Sequence, residues 1–268
     1  MPDALSVRTA DVPAIPGTAD AEAPTWAMAE RADWVVAHAR CDRDGDLTLL
    51  LEDDLAGSDA ATVAAALVDH LRDHAGARVV RWFVRGARAR DEAVAARLAL
   101  APSRELCQMR VPLPLPGGRA PVLPWRAFVP GQDEQAWVTV NNRAFADHRD
   151  QGGRTVEDLL ALEAEPWFDP AGFLLHHDET GALDGFCWTK VHRDADPPLG
   201  EIYVIGVDPR AHGQGLGRAL VLTGLDWLQR TGLGQGMLYV DADNVAAVAL
   251  YRSLGFVAVS RDVEFRAG

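Results

Sequence analysis

Cysteine and basic residues are scarce in this sequence of 268 residues. The three cysteines, Cys41, Cys107 and Cys187, are far apart and form no CxxC pair. This spacing argues against a disulfide framework or a metal site and fits a reducing cytosol. Lys and Arg number 26 against 39 Asp and Glu, so the net charge is −13. Such a charge disfavours nucleic acids and anionic lipids as partners, because their phosphates bind Lys and Arg.

Long hydrophobic runs are also missing. No stretch approaches the about 18 consecutive apolar residues that a transmembrane helix needs. The first residues show no charged start followed by an apolar run, so the pattern predicts no signal peptide. Together these features predict a cytoplasmic protein without membrane or nucleic-acid partners, and we expect a monomer.

The composition is that of a globular protein, with 48% apolar and 24% charged residues. The length suits one large domain or two of ordinary size. Residues 1–24 are rich in Ala, Pro and Asp, which predicts a loose tail or a poorly ordered first strand. Five prolines fall within residues 112–124, and we interpret 113–124 as a linker because proline lacks a backbone donor. The predicted domains are therefore residues 25–112 and 125–268.

Each half of the sequence ends in the order helix, strand, helix, strand, which indicates a duplication. In the first half we expect a helix at Ala60–Ala75 stopped by Gly76, a strand at Arg78–Arg85, a helix at Asp91–Leu100 and a strand at Leu106–Leu113. In the second half we expect a helix within Ala127–Phe145, strands at Phe173–Leu175, Gly185–His192 and Glu201–Val207, a helix at Gly215–Thr231, a strand at Gly236–Val240, a helix at Asn244–Leu254 and a strand at Phe256–Phe265.

A glycine-rich loop with Gly213, Gly215 and Gly217 lies between a predicted strand and a long helix. Glycines allow close backbone approach, and the free N–H groups and dipole of a helix N-terminus attract phosphate. The loop lacks the Gly-Lys-Ser/Thr of a Walker loop and the spacing of a dinucleotide fingerprint. Its glycines alone favour a phosphate site and a plain turn about equally. The corresponding segment of the first half, Asp53–Ser58, is acidic and has one glycine, so we expect one cofactor site per chain.

The surroundings of this loop resemble the GNAT acetyltransferase superfamily over at least residues 170–265. The resemblance rests on Val207-Asp208-Pro209, four residues, Gln214-Gly215-Leu216-Gly217, a helix, a strand, Asn244, and Leu250-Tyr251-x-x-Leu254-Gly255-Phe256. Members usually carry Gln or Arg at the first loop position, where this chain has His212. The contribution of that one side chain differs from the family pattern, but a backbone cradle requires no particular side chain.

Within the superfamily, residues from about 101 to 265 resemble the mycothiol synthase family. The matching motifs are Asn141-Asn142-x-Ala144-Phe145 with Gln151-Gly152-Gly153, Glu165–Pro170, Trp188–His192 and Gly200–Val204. The resemblance implies an α+β architecture of tandem GNAT folds. Each would be a mixed central sheet flanked by helices, complete in the C-terminal domain and reduced in the N-terminal one. The family's N-terminal domain retains a CoA loop, which this chain does not show.

The same resemblance implies an N-acetyltransferase with acetyl-CoA as cosubstrate and no metal. Its substrate would be the cysteinyl amine of Cys-GlcN-Ins (desacetylmycothiol), and its products mycothiol and CoA. Two alternatives stay open at this point. One is a GNAT acetyltransferase for another small-molecule or peptide amine, and the other is a CoA-binding regulatory protein without turnover.

Direct acetyl transfer requires a base for the ammonium, stabilisation of the oxyanion and an acid for the leaving thiolate. Glu201 is the candidate base, because the family's base matches this position. A carboxylate that begins an apolar strand is costly if buried and unpaired, and a raised pKa would suit a base. Period-2 alternation predicts that it shares a face with Tyr203, Ile205 and Val207. Tyr251 is the candidate acid. A phenol of ordinary pKa about 10 can protonate a thiolate whose thiol has a pKa of about 8.5.

The remaining site residues are implied by the resemblance. The cofactor contacts would be Ile205, Gly206, Val207, His212, Gly213, Gln214, Gly215, Leu216, Gly217, Arg218, Asn244, Val245, Ala246, Ala247, Val248 and Ala249. The substrate contacts would be Glu165, Lys190, Glu201 and Tyr239. Asn244 fits an ordinary helix cap nearly as well, and Glu165 with Lys190 fits a surface charge pair. We expect His148, His176, His177 and His192 at the surface, and Trp167 and Trp188 in the core.

Overall fold

A computed structural model of the protein describes residues 5–10, 26–32, 34–115, 123–146, 148 and 151–268. These residues form twelve strands and six α-helices: β1 (Leu5–Ala10), β2 (Trp26–Arg31), β3 (Trp34–Cys41), β4 (Asp46–Leu51), α1 (Gly57–Ala75), β5 (Arg81–Val84), α2 (Ala89–Arg97), β6 (Leu100–Pro112), β7 (Arg126–Ala127), α3 (Glu134–Ala144), α4 (Val156–Glu163), β8 (Phe173–His177), β9 (Leu183–His192), β10 (Leu199–Val207), α5 (Leu216–Arg230), β11 (Gln235–Asp241), α6 (Val245–Ser253) and β12 (Val257–Ala267). The predicted α+β class with mixed pairing is confirmed.

The chain divides into two compact units that do not follow the sequence halves. Unit 1 contains the described residues up to Cys107 together with Asp241–Asp243 and Ser260–Gly268. Unit 2 contains the described residues of Gln108–Val240 and Asn244–Val259. The predicted boundaries at 25–112 and 125–268 stay a prediction. Most of the predicted tail and the middle of the predicted linker lie outside the described residues, although Leu5–Ala10 forms β1.

In unit 1 the strands follow the order β1-β2-β3-β4-β5, and β12 pairs antiparallel with β5. The parallel pair β4–β5 is joined by α1, which buries Val63, Leu67 and Leu71 as its sequence period predicts. The helix ends where Gly76 takes the left-handed conformation, φ +63°, which glycine adopts without strain. The second predicted helix is too long. It ends at Arg97, because Ala99 has φ +58° and Leu100 already begins β6.

In unit 2 the strand order is β7-β8-β9-β10-β11-β6, with β6 contributing its residues from Gln108 onward. Strands β8, β9 and β10 are antiparallel neighbours, whereas β10 and β11 are parallel and joined by α5. The succession β10-α5-β11-α6 repeats β4-α1-β5-α2 of unit 1, in agreement with the predicted duplication. Helix α5 buries the predicted leucines at positions 216, 220, 225 and 228.

The two faces of the β8–β10 sheet are filled differently. On one face Trp137 of α3 packs edge-on against Trp188 and Phe186. On the other face α5 approaches so closely that a Cβ on Gly224 would collide with Cys187. The face of this sheet that packs against α3 is the α3 face, and the face that packs against α5 is the α5 face.

Several elements carry no strong sequence pattern. Strands β2 and β3 bury Ala27, Ala29, Ala37 and Ala39, and alanine is depleted in strands. Helix α4 has only eight residues and buries one leucine.

Among the described residues, none of the helices combines the length and the hydropathy that a membrane span requires.

Candidate functional site

The central feature of unit 2 is a gap between two parallel strands. Strands β10 and β11 pair at Gly200↔Gly236, Glu201↔Met237 and Ile202↔Leu238, and then their pairing ends. Both strands continue, β10 to Val207 and β11 to Asp241. Beyond Ile202 the edge of β10 that faced β11 therefore has unused backbone groups, since its other edge stays paired with β9 as far as Val207.

A bulge in β10 reverses the faces that sequence alternation predicts. The register with β9 shifts between Ile202 and Val204, so Tyr203 is an extra residue. Directly opposed residues share a face. Glu201 opposes Lys190 on the α3 face, whereas Ile205 opposes Cys187 on the α5 face. The prediction that Glu201, Tyr203, Ile205 and Val207 share one face was wrong, because alternation fails at a bulge.

The glycine-rich loop has the geometry of an anion cradle. Gly213 and Gly215 both have φ +78°, and Gly215 stands directly before α5. A Cβ at either position would meet open space, so the loop is exposed rather than packed. The first N–H groups of a helix lack intrahelical partners, and the helix dipole adds positive potential there. These features fit the pyrophosphate of a CoA cosubstrate.

The side chains of the cradle contact their own loop and a neighbouring helix. Nε2 of His212 lies 3.1 Å from the Val207 carbonyl oxygen. The Arg218 guanidinium donates to Ser253 Oγ over 2.9 Å, which ties the start of α5 to the end of α6. The position where this chain departs from the family pattern therefore stabilises the loop instead of pointing away from it.

Asp208 stabilises the turn that leads into the cradle. Its side chain is fully buried and pairs with Arg143 of α3 over 2.6 Å and with Arg210 over 2.9 Å. It also accepts from the backbone N–H of Arg210, which closes the turn that leads into the loop. The hydrogen bond from Arg210, followed by the charges of both arginines, lowers the Asp208 pKa to about 2.

Glu201 is buried and hydrogen-bonded to a histidine. One carboxylate oxygen, Oε2, lies 2.7 Å from His192 Nε2. The Glu201 side chain is 9% exposed and that of His192 is 28% exposed. His192 keeps partial exposure, and the β9–β10 hairpin also brings it diagonally across from Glu201, a contact that the sequence did not predict. The number of residues between the two strands fixes their register, so the hairpin length is the sequence signal that could have indicated the contact.

Tyr251 is buried on α6. Burial, with a smaller effect of Cys187, raises its pKa to about 12. Burial also raises the pKa of the Cys187 thiol to about 12, so this cysteine is a neutral packing residue. Helix α6 is tied to the start of α5, beside the cradle, by the hydrogen bond from Arg218 to Ser253. The Tyr251 ring packs against Phe256, with 5.7 Å between the ring centroids.

Asn244 acts as the N-cap of α6. Its side-chain oxygen accepts from the Ala247 N–H over 3.1 Å. The structure therefore supports the capping alternative for Asn244. The exposed first turn that follows contains Val245, which is 74% exposed. A contact of residues 244–249 with the cosubstrate stays a prediction.

The predicted substrate residues have three different environments. The Lys190 ammonium lies 4.1 Å from the centre of the Trp167 ring and 5.4 Å from that of Tyr203. Among the described residues it makes no ion pair with Glu165, which is exposed, so the charge-pair alternative is not supported. Tyr239 is 39% exposed, and its hydroxyl accepts from Gln108 over 2.6 Å. Trp188 is fully buried as expected, and Trp167 is half-buried against it.

The other histidines do not form a ligand cluster. His176 pairs with Asp184, and His148 and His177 are half-buried, so each of them is partly exposed rather than fully at the surface. Within the described ranges no group of three or more His, Cys, Asp or Glu side chains could hold a metal ion.

Comparison with known proteins agrees with this geometry. A model of the acetyltransferase (GNAT) family matches residues 137–256. A mycothiol acetyltransferase of Thermomonospora curvata is 50% identical over 205 residues, which cover 75% of this chain and 67% of that protein. The chain belongs to the GNAT acetyltransferase family. As the sequence predicted, it is similar to the mycothiol synthases within that family. GNAT acetyltransferases use acetyl-CoA as their cosubstrate.

Two further relatives bear the same name. The mycothiol acetyltransferase of Thermobispora bispora is 52% identical over 71% of this chain and 66% of its own length. That of Frankia casuarinae is 53% identical over 65% of this chain and 54% of its own length. The chain thus spans between about half and two thirds of the length of these curated relatives.

Solved structures support the fold. A GCN5-related N-acetyltransferase from Sphaerobacter thermophilus superposes with a TM-score of 0.69 at 24% identity, covering 90% of this chain and 79% of that one. A tandem GNAT protein from the clavulanic acid biosynthesis pathway superposes with a TM-score of 0.54 at 17% identity, covering 92% of this chain and 83% of that one. At these identities the likeness concerns the fold alone, which agrees with the predicted tandem architecture.

Proposed function

We propose that this chain is an acetyl-CoA-dependent N-acetyltransferase that acetylates the cysteinyl amine of Cys-GlcN-Ins to give mycothiol and CoA. The observation that carries the proposal is the end of β10–β11 pairing at Ile202↔Leu238. A gap between strands is open to both faces of the sheet. It can receive a thioester from the cradle side and an amine from the Glu201 side.

Glu201 takes the proton of the substrate ammonium on the α3 face. Its buried position keeps competing water away from the carboxylate, and the free amine can then attack the thioester carbonyl. Backbone N–H groups on the unpaired edge of Val204–Val207 stabilise the oxyanion that forms. The carbon–sulfur bond then breaks, and the nitrogen releases its second proton as the amide forms, which replaces the proton that Tyr251 gives to the thiolate. The acetyl group thus passes directly to nitrogen.

Tyr251 acts on the leaving thiolate. With a pKa of about 12 its phenol stays protonated at physiological pH and can donate a hydrogen bond to the sulfur. The pKa difference from an ordinary thiol, about 8.5, is larger than the sequence alone suggests. Tyr251 therefore stabilises the thiolate as a donor first, and the proton follows as the product leaves.

The acceptor specificity rests on Glu165, Lys190 and Tyr239. The Lys190 ammonium is held over Trp167 by a cation–π contact, which fixes its position beside Glu201 across the β9–β10 ladder. A fixed cation and an exposed carboxylate suit a polyhydroxylated acceptor, because both bind hydroxyl groups. The names of the relatives support the same acceptor. The cytoplasmic location and the monomeric state stay predictions from the sequence.

Initial rates with acetyl-CoA and competing amines test this function. Cys-GlcN-Ins would be compared with a polyamine and with peptides that carry free N-termini, and the products would be identified by mass spectrometry. We expect a kcat/KM for Cys-GlcN-Ins well above that for the other amines. Equal or higher values for a polyamine or a peptide would favour a GNAT enzyme with another acceptor. CoA binding without any product would favour a regulatory protein.

A further inference from the structure

The carboxylate of Glu201 has one hydrogen-bond partner among the described residues, His192 Nε2 at 2.7 Å. Two other side chains on the same face, Lys190 and Tyr203, are not placed to take a proton from Glu201. The Lys190 ammonium is held over Trp167 and Tyr203. Burial, followed by the charge of Glu201, raises the pKa of Tyr203, so its phenol stays neutral and does not accept a proton. In the described part of the chain, His192 is therefore the side chain hydrogen-bonded to this carboxylate and placed to exchange a proton with it.

His192 is more exposed than Glu201, as expected of a group that passes a proton from a buried carboxylate to water. The Glu201 side chain is 9% exposed, whereas that of His192 is 28% exposed. A buried base that has taken a proton must release it before the next turnover, and the carboxylate itself has little contact with water. An imidazole has a second nitrogen, Nδ1, from which a proton can leave.

We propose that His192 is a positioning residue that orients Glu201 and carries its proton to solvent. This inference rests on the proposed function. The substrate ammonium gives one proton to Glu201, and the neutral acid passes it to His192 Nε2. The imidazolium then releases a proton from Nδ1 to water, which leaves the carboxylate and a neutral imidazole that donates its Nε2–H to that carboxylate. Exchange of the ring protons with water returns the proton from Nε2 to Nδ1 before the next transfer. The net change is one proton moved from the amine to solvent.

Chemical rescue distinguishes a relay from a structural contact. His192→Ala removes both hydrogen bond and relay, whereas His192→Gln retains an N–H donor that cannot carry a proton. We expect both variants to lower kcat by about tenfold or more, less than the loss of the base itself, with acetyl-CoA affinity unchanged. Added imidazole should restore kcat of His192→Ala in a concentration-dependent way, because the site is partly open to solvent. His176→Ala is the matched control, since His176 also pairs with a carboxylate, Asp184, on neighbouring strands of the same sheet.

Full kcat in His192→Gln would overturn the proposal, and so would a folded His192→Ala that imidazole does not stimulate. Equal stimulation of His176→Ala would also overturn it, because the effect would not be specific. If His192→Ala does not fold, the kcat of His192→Gln and its solvent isotope effect decide, and an isotope effect equal to that of the wild type contradicts a relay. All rates are measured with whichever amine the wild-type chain acetylates. A failure on Cys-GlcN-Ins therefore rejects the proposed acceptor, whereas the rates of the His192 variants with the accepted amine decide the role of His192.

Discussion

Ile202 and Leu238 are the last residues at which β10 and β11 pair, and the extra residue Tyr203 follows directly in β10. Because of the bulge, Glu201 lies on the α3 face and Ile205 on the α5 face. The alternation of side chains along β10 therefore shifts by one residue where the gap begins. Bulges are common next to active sites because they redirect side chains. This arrangement gives the amine and the thioester separate approaches to one opening.

The close packing beside the gap predicts a large effect of a small substitution. A Cβ on Gly206 would lie 2.7 Å from the ring of Phe186, which is fully buried, and 3.3 Å from that of Phe145. We expect Gly206→Ala to lower the free energy of unfolding by about 1–3 kcal/mol through overpacking. Gly234→Ala is the control, because a Cβ there meets nothing within 4 Å. Urea unfolding with equal stability of both variants would contradict the packing described for β10.

The buried carboxylate below the cradle predicts a combined loss of stability and affinity. Asp208→Asn weakens the contacts to Arg143 and Arg210, and we expect a loss of about 1–3 kcal/mol. Acetyl-CoA affinity should fall because the turn before the loop loses its anchor, and calorimetry measures this. Since the fold lowers the Asp208 pKa from 3.8 to about 2, its contribution is present above pH 3.8 and is lost as pH falls toward 2. The difference between wild type and variant should shrink over that range, and a difference that is constant with pH would contradict the assignment.

The buried phenol of Tyr251 predicts an effect on rate and on alkaline stability. Tyr251→Phe should lower kcat by about a hundredfold with little change in acetyl-CoA affinity, because the donor to the thiolate is lost. The fold raises the pKa of Tyr251 from 10.0 to about 12, so the neutral phenol is the form that the native state favours. Its contribution to stability is complete below pH 10 and declines as pH rises to 12.

Thermal unfolding between pH 10 and 12 measures that decline. Tyr251→Phe should lose less stability over this range than the wild type, whereas Tyr239→Phe, at an exposed position, should follow the wild type. An unchanged kcat in Tyr251→Phe would remove Tyr251 from the mechanism.

The two repeats predict a single cosubstrate site. In unit 1 the segment that corresponds to the cradle contains Asp53, whose carboxylate pairs with Arg88, and Arg90 donates to the carbonyl oxygens of Glu52 and Asp53. This loop presents acidic side chains, and its neighbouring arginines are bound to the Asp53 carboxylate and to backbone carbonyl oxygens. Titration calorimetry should give one acetyl-CoA per chain, and a stoichiometry of two would contradict the prediction.

Local patterns in the sequence identified the parts of the site that depend on local chemistry. The cradle glycines, the buried faces of α1 and α5 and the end of α1 at Gly76 followed from spacing and backbone freedom. The bulge at Tyr203 and the contact between His192 and Glu201 did not, because both depend on the register between two strands. Strands β2 and β3 were not predicted either, since their buried alanines carry no strand propensity.

A single-turnover experiment tests the central claim, direct acetyl transfer from acetyl-CoA to the cysteinyl amine with Glu201 as base. Excess protein would be mixed with acetyl-labelled acetyl-CoA and Cys-GlcN-Ins, and both the small molecules and the chain would be analysed by mass spectrometry over time. We expect the label to appear on the cysteinyl nitrogen without an acetylated chain. Glu201→Gln should slow the step by about 10²–10⁴-fold while the exposed control Glu157→Gln does not. A transient acetyl-protein, or an equal rate in Glu201→Gln, would contradict the account.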